Sequence, residues 1–119
     1  MKSRVNIVVS TYNGEKYIKE QMDSLLAQDY DNIRIYVRDD ESSDNTLKIL
    51  RQYEKQGDIC VIQGKNKGFS ASFFNVLEYA KEGEYWAFCD QDDIWFPEKI
   101  SLAVKWLDAQ NQNQPLLYY

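Results

Sequence analysis

The strongest constraint on this 119-residue chain is a repeated alternation of short β-branched runs with segments whose apolar residues recur at helical spacing. Val5-Asn6-Ile7-Val8-Val9 is a run of the first kind and reads as a buried strand. Ile18, Met22, Leu25 and Leu26 then follow helical spacing. Ile33-Arg34-Ile35-Tyr36-Val37 predicts a second strand, and Leu47, Leu50 and Tyr53 a second helix capped by Ser43 or Asp44. Ile59-Cys60-Val61-Ile62 predicts a third strand, and Phe73, Leu77 and Ala80 a third helix. Tyr85-Trp86-Ala87-Phe88-Cys89 predicts a fourth strand. Pro97 opens a fourth helix carrying Ile100, Val104 and Leu107, and residues 116–119 read as the start of a fifth strand. Strand alternating with helix predicts an α/β fold: a mostly parallel sheet with flanking helices in one domain, residues 1–119.

Several classes of chemistry are excluded. The chain has no histidine, so no Ser-His-Asp or Cys-His catalysis operates within it. Cys60 and Cys89 stand far apart in apolar runs and read as two buried free thiols of a reducing compartment. Nineteen acidic residues against 14 basic ones give a net charge of −5, the opposite of a nucleic-acid footprint. No segment approaches the ~20 apolar residues that span a bilayer. The start of the chain reads as a strand, not a signal peptide, so the expected location is the cytoplasm.

In open α/β sheets ligands bind beyond the carboxyl ends of the strands. Ser10-Thr11-Tyr12-Asn13-Gly14 follows the first strand and Asp39-Asp40-Glu41-Ser42-Ser43-Asp44 the second. Gly64-Lys65-Asn66-Lys67-Gly68 follows the third and Asp90-Gln91-Asp92-Asp93 the fourth. A parallel sheet is expected to collect the seven carboxylates of these ends (Asp39, Asp40, Glu41, Asp44, Asp90, Asp92, Asp93) in one pocket; without them, basic residues outnumber acidic ones. Crowded carboxylates disfavour one another's charge unless a cation offsets it, and Mg²⁺ or Mn²⁺ is the expected offset. Asp44 reads better as a helix cap, and Asp93 is open to the same reading. Asp90 and Asp92, directly off an aromatic strand, read better as metal ligands. The ring of Tyr12 is open to two readings, stacking on a nucleobase or packing on its own helix. Asp40 is suited to accept a bond from a base N–H, and Lys65 and Lys67 either meet phosphate or belong to a solvated loop. Phe73-Phe74 reads as core.

These segments, in this order, resemble the inverting GT-A glycosyltransferases of family 2 over nearly the whole chain. Val8-Val9-Ser10-Thr11-Tyr12-Asn13-Gly14 is similar to the family's V-x-x-x-Y-N opening, and Arg38-Asp39-Asp40-Glu41-Ser42-Ser43-Asp44-Asn45-Thr46 to its D-D-x-S-x-D-x-T segment. Asn66-Lys67-Gly68 through Asn75 resembles N-x-G…N, and Asp90-Gln91-Asp92-Asp93 the D-x-D signature. Asp90-Gln91-Asp92-Asp93-Ile94-Trp95 also resembles the form in rhamnosyltransferase-like members that build polysaccharides.

The resemblance implies a GT-A, Rossmann-like fold and a nucleotide-sugar donor site built from Thr11, Tyr12, Asn13, Asp39, Asp40, Lys67 and Asp90. Tyr12 would lie against the base and Asp40 would bond a pyrimidine; Asp90 and Asp92 would hold Mn²⁺ or Mg²⁺ on the diphosphate. The implied reaction is inverting transfer from a UDP- or dTDP-linked sugar to a saccharide or lipid-linked acceptor. The chain departs from the family in two ways. Phe73 and Phe74 stand where many relatives carry Arg. The family's catalytic base and most of its acceptor site lie in a later half, so the expectation here is a truncated, donor-binding half with its base beyond Tyr119. The missing remainder would decide any association with the inner face of the cell membrane. The alternative expectation is a nucleotide- and metal-binding module of the same fold without catalysis. A receiver domain or a haloacid-dehalogenase-type phosphatase would place its acids after the first strand, where Ser10 stands. The glycine patterns of dinucleotide oxidoreductases and P-loop NTPases are absent.

Overall fold

The computed structural model describes residues 4–64, 85–109 and 116–118. The expected third helix, the segment 66–75 and the lysines at 65 and 67 lie outside the described residues. Among the described residues the chain runs β1 (Val5–Thr11), α1 (Ile18–Leu26), β2 (Ile33–Asp40), α2 (Thr46–Lys55), β3 (Cys60–Gly64), β4 (Tyr85–Cys89), α3 (Lys99–Asp108) and β5 (Leu116–Tyr118). The strands form one sheet in the order β3-β2-β1-β4-β5, and every neighbouring pair is parallel. The α/β architecture read from the alternation is the one observed.

β1 is central, and all seven of its residues are buried. Its odd-numbered side chains Val5, Ile7 and Val9 join Ile35, Val37, Tyr85, Ala87 and Cys89 in the main core. All three described helices contribute to that core: Ile18, Met22 and Leu25 from α1, Leu50 from α2, and Ile100, Val104 and Leu107 from α3. Each fully buried Val, Leu or Ile contributes about 1.5–3 kcal/mol, so β1 and α1 anchor the domain. The alternate side chains of the sheet form a smaller cluster, Val8 and Tyr36 with partly buried Ile62, Trp86 and Phe88. Leu26, expected in the core, is 39 % exposed because it sits at the margin of the α1 stripe.

The strand ends differ from the sequence reading in a way that positions the site. β1 continues two residues past Val9 through Ser10 and Thr11, and β2 continues three past Val37 through Arg38, Asp39 and Asp40. Polar residues remain in the ladder because they satisfy one another across it, as the Thr11↔Asp39 register allows. β1 pairs with β4 only as far as Val9↔Cys89, while its pairing with β2 runs on to Thr11↔Asp39. β1 and β4 therefore part at their carboxyl ends, the switch point where α/β sheets open a crevice. Pro97 does not open α3; it precedes Glu98, the residue at the N-cap position, and the helix begins at Lys99.

At the outer strand β3, Glu54 Oε2 accepts the Val61 N–H at 2.8 Å, and Arg51 bridges Glu54 Oε1 and Gln63 Oε1 at 2.5 and 2.9 Å. The Val61 N–H, followed by Arg51, holds the Glu54 carboxyl below its ordinary range against the opposing effect of burial.

Candidate functional site

The end of β2 is a dense polar network. Asp40 is 4 % exposed; its Oδ1 accepts Arg38 Nε at 2.9 Å and its Oδ2 accepts Ser10 Oγ at 3.2 Å. Asp39 is 1 % exposed; Oδ1 accepts Thr11 Oγ1 at 2.9 Å and Ser42 Oγ at 2.6 Å, and Oδ2 accepts the Ser42 N–H at 3.1 Å. Ser42 Oγ in turn accepts the Asn13 N–H at 2.9 Å, and Asn13 Oδ1 accepts the Ser43 N–H at 2.7 Å. The loops after β1 and β2 are thus tied at Asn13, whose φ of 50° is one that Asn tolerates better than most residues.

A second tie lies at the base of α2. The buried Gly14 N–H donates to Thr46 Oγ1 at 2.7 Å, and Thr46 Oγ1 donates to Asp44 Oδ1 at 2.5 Å. Asp44 also accepts the Thr46 N–H at 2.9 Å and the Glu15 N–H at 3.2 Å. Burial opposes its charge, but the Thr46 hydroxyl and the Thr46 and Glu15 N–H groups outweigh it and hold the carboxyl below its ordinary range. Asp44 thus ties the first residue of α2 to the loop after β1, but neither it nor Ser43 is the N-cap expected of them: Asn45 occupies that position and no side chain caps the helix there.

The end of β4 is built differently. Residues 90–93 form a turn closed by the Asp93 N–H to Asp90 carbonyl bond at 3.1 Å, with Asp92 at φ 68°. Asp90 and Asp92 are exposed, and among the described residues neither carboxylate takes a hydrogen bond or ion pair. Asp93 caps no helix; its Oδ2 accepts Trp95 Nε1 at 3.3 Å. Polar side chains on α1 and just beyond its end hold the backbone of this stretch. Gln21 Nε2 donates to the Asp90 carbonyl at 2.6 Å, Ser24 Oγ accepts the Trp95 N–H at 3.2 Å, and Gln28 Nε2 donates to the Phe96 carbonyl at 2.9 Å.

Gln91 joins this turn to β1. Its Oε1 accepts the Tyr12 N–H at 2.5 Å, and its Nε2 donates to the Tyr12 carbonyl at 3.0 Å and the Tyr17 hydroxyl at 2.5 Å. Tyr12 is 45 % exposed.

The seven carboxylates do not form one pocket. Asp39 and Asp40 belong to β2, Asp44 is bonded to Thr46 and Glu15, and Asp93 is bonded to Trp95. Among the described residues no group of three or more Asp, Glu, Cys or His side chains is gathered to hold a metal ion. Asp90 and Asp92 are nonetheless the donor set that suits one: hard oxygen ligands on a single exposed turn, free of internal partners. Thr11, Tyr12, Asn13, Asp39, Asp40 and Asp90 all lie at or just beyond the carboxyl ends of β1, β2 and β4, whereas Lys67 lies outside the described residues. Cys89 is buried and its thiol is pushed up to about 12, chiefly by burial, so it is inert core. Cys60, expected buried, is exposed on the edge strand.

Sequence reasoning missed Gln91, Arg38 and the row Gln21, Ser24, Gln28. The available signal was spacing for two of them: Gln21 and Ser24 stand at i, i+3 on α1, whereas Gln28 follows the helix end and carries no such signal.

The sequence profile described as Glycosyl transferase family 2 matches residues 6–115. The chain is 35% identical over 111 residues to the dTDP-rhamnosyl transferase RfbG of Shigella flexneri, covering 88% of this chain and 38% of that protein. The crystal structure of S. aureus TarS 1-349 in complex with UDP matches with a TM-score of 0.80 at 34% identity, over 89% of this chain and 32% of that one. The mannosyltransferase PcManGT from Pyrobaculum calidifontis, in complex with GDP-Man and Mn²⁺, matches with a TM-score of 0.79 at 30% identity, over 90% and 33%. The chain spans roughly a fifth to two fifths of the length of the curated relatives it matches.

Proposed function

The chain belongs to glycosyl transferase family 2 and has its GT-A fold, and from that premise we propose that it is the donor-binding half of an inverting enzyme. That enzyme transfers a sugar from a UDP- or dTDP-linked donor to a saccharide or lipid-linked acceptor in cell-surface polysaccharide biosynthesis. One observation carries this reading: the exposed carboxylates of Asp90 and Asp92, without partners among the described residues, stand on a turn bonded directly to the exposed Tyr12 at the switch point of the sheet. Acid beside aromatic is what a nucleoside diphosphate requires, since its base needs a face and its diphosphate needs a cation held by oxygen ligands.

In this reading Tyr12 offers its ring to the base. Asp40, fixed by Arg38, is the acceptor for a pyrimidine N–H; at 4 % exposure it is reached only when the 3.2 Å bond from Ser10 gives way. Thr11, Asn13 and Asp39 keep the β1 and β2 loops in register beneath the nucleotide. Asp90 and Asp92 hold Mn²⁺ or Mg²⁺, which when bound supplies the positive charge that stabilises a departing diphosphate. The relatives' names support a nucleotide-linked donor, and the Mn²⁺ of PcManGT supports the metal. The catalytic base and acceptor site are assigned to chain beyond Tyr119, so the 119-residue chain is expected to bind donor without robust transfer. We assign it to the cytoplasmic side of the membrane, with attachment, where it occurs, through that remainder.

Thermal unfolding with UDP, dTDP and GDP, each with and without Mn²⁺, tests the reading. Ligand at a hundredfold excess over Kd adds about 2.7 kcal/mol, a readable rise in Tm. Stabilisation by a pyrimidine diphosphate that grows with Mn²⁺ is the expected result; no shift with any of the three in a folded sample overturns the donor site.

A further inference from the structure

Gln91 fills the variable position of the Asp-x-Asp pattern, and nothing in that pattern asks for a carboxamide there. Its side chain is nevertheless the link between two strand ends that have ceased to pair. The backbone ladder between β1 and β4 stops at Val9↔Cys89, and three residues further along β1 the Gln91 carboxamide takes over. It meets the Tyr12 main chain as another peptide group would, with Oε1 accepting the N–H and Nε2 donating to the carbonyl. The second Nε2 hydrogen goes to the Tyr17 hydroxyl, so both donors of the amide are engaged. Gly14 packs against this link: a Cβ there would lie 3.0 Å from Tyr17 Cε2 and 3.5 Å from Gln91 Cδ. On its other side the turn is held by the Gln21 bond to the Asp90 carbonyl and the Asp93 bond to the same oxygen.

We propose that Gln91 is a positioning residue that couples the Asp90/Asp92 turn to the Tyr12 platform, so that the phosphate side and the base side of a nucleoside diphosphate are bound as one unit. The proposal rests on the donor-binding reading above. A purely structural amide would stabilise the loop yet leave the two halves of the ligand site energetically independent. A coupling amide makes the loss of one half felt at the other, because residues sharing one hydrogen-bond network are non-additive.

The test is a double-mutant cycle on the 119-residue chain. The Kd of UDP with Mn²⁺ is measured by calorimetry for wild type, Gln91→Ala, Tyr12→Ala and the double variant. Gln91→Ala is expected to weaken UDP about tenfold, the order of one lost positioning bond pair. Tyr12→Ala is expected to weaken UDP markedly in the wild-type background and by about threefold less in the Gln91→Ala background. Gln91→Glu, which retains the acceptor for the Tyr12 N–H and offers the Tyr17 hydroxyl an acceptor in place of the Nε2 donor, should recover part of the loss. Tyr17→Phe, a milder break of the same network, provides the second test where Gln91→Ala does not fold; it should weaken UDP while leaving Mn²⁺-free uridine binding within twofold. Additive effects, or unchanged UDP affinity in Gln91→Ala and Tyr17→Phe alongside binding by wild type, overturn the coupling alone. A wild-type chain that binds no nucleotide overturns the donor reading itself, and the coupling with it.

Discussion

Two strand ends of this sheet carry paired acids, and the fold treats them in opposite ways. At the end of β2, Asp39 and Asp40 are buried inside the strand and bonded to Thr11, Ser42, Ser10 and Arg38. At the end of β4, Asp90 and Asp92 are exposed on a turn and free of internal partners among the described residues. The first pair is a frame and the second is a presentation. Two carboxylates in near succession have one charge and one composition in both places. What separates them is whether the neighbouring strand offers donors in register.

The largest effect should come from breaking the frame. Arg38→Ala leaves Asp40 buried without its guanidinium partner, and removing one member of a buried pair costs about 3–5 kcal/mol. Urea unfolding measures it, and a loss below about 1 kcal/mol would show that the β2 end is not the rigid side of the comparison. A smaller loss, about 1–2 kcal/mol, is expected for Thr46→Val, which keeps the side-chain shape but strips the acceptor from the buried Gly14 N–H.

Acid should then erode the same side. The folded Asp44 carboxyl titrates below the ordinary 3.8, so folding favours its charged form. Its contribution is complete above the unfolded value and is lost as pH falls through the folded one. Wild type should therefore lose stability more steeply than Asp44→Asn below about pH 4, read from unfolding midpoints across pH. The smallest effect on stability belongs to the presented pair. Asp92 stands at φ 68°, where glycine is unstrained, so Asp92→Gly should alter stability by no more than about 0.5 kcal/mol. The same variant should lose the Mn²⁺-dependent part of nucleotide stabilisation; its retention would remove Asp92 from the metal site.

The contrast also marks how far the residues could be read without coordinates. β4 was legible to the residue and β1 nearly so, because a short continuous apolar run, aromatic in β4 and β-branched in β1, marks a strand. The termini of β1 and β2 were not legible, since Ser10, Thr11, Arg38, Asp39 and Asp40 look like loop until the ladder pairs them. The candidate site followed the same division. Asp90 and Asp92 were found because a turn after an aromatic strand has little structural reason to be acidic. Gln91 was hidden because a carboxamide's partners are main-chain atoms nearly eighty positions away in sequence, and no local spacing encodes them. Asp39 and Asp40 were assigned to an open pocket because charge counts do not record burial.

The Glu54 bond to Val61 bears on how copies of this protein meet. A strand at the rim of a sheet offers main-chain hydrogens as a template for another molecule's strand. Here the Val61 donor, near the start of β3, is already occupied by a carboxylate that Arg51 fastens in place. A second molecule approaching along that flank would have to evict a charged side chain before it could extend the ladder. Growth of the sheet from one copy to the next is thereby discouraged at its β3 side.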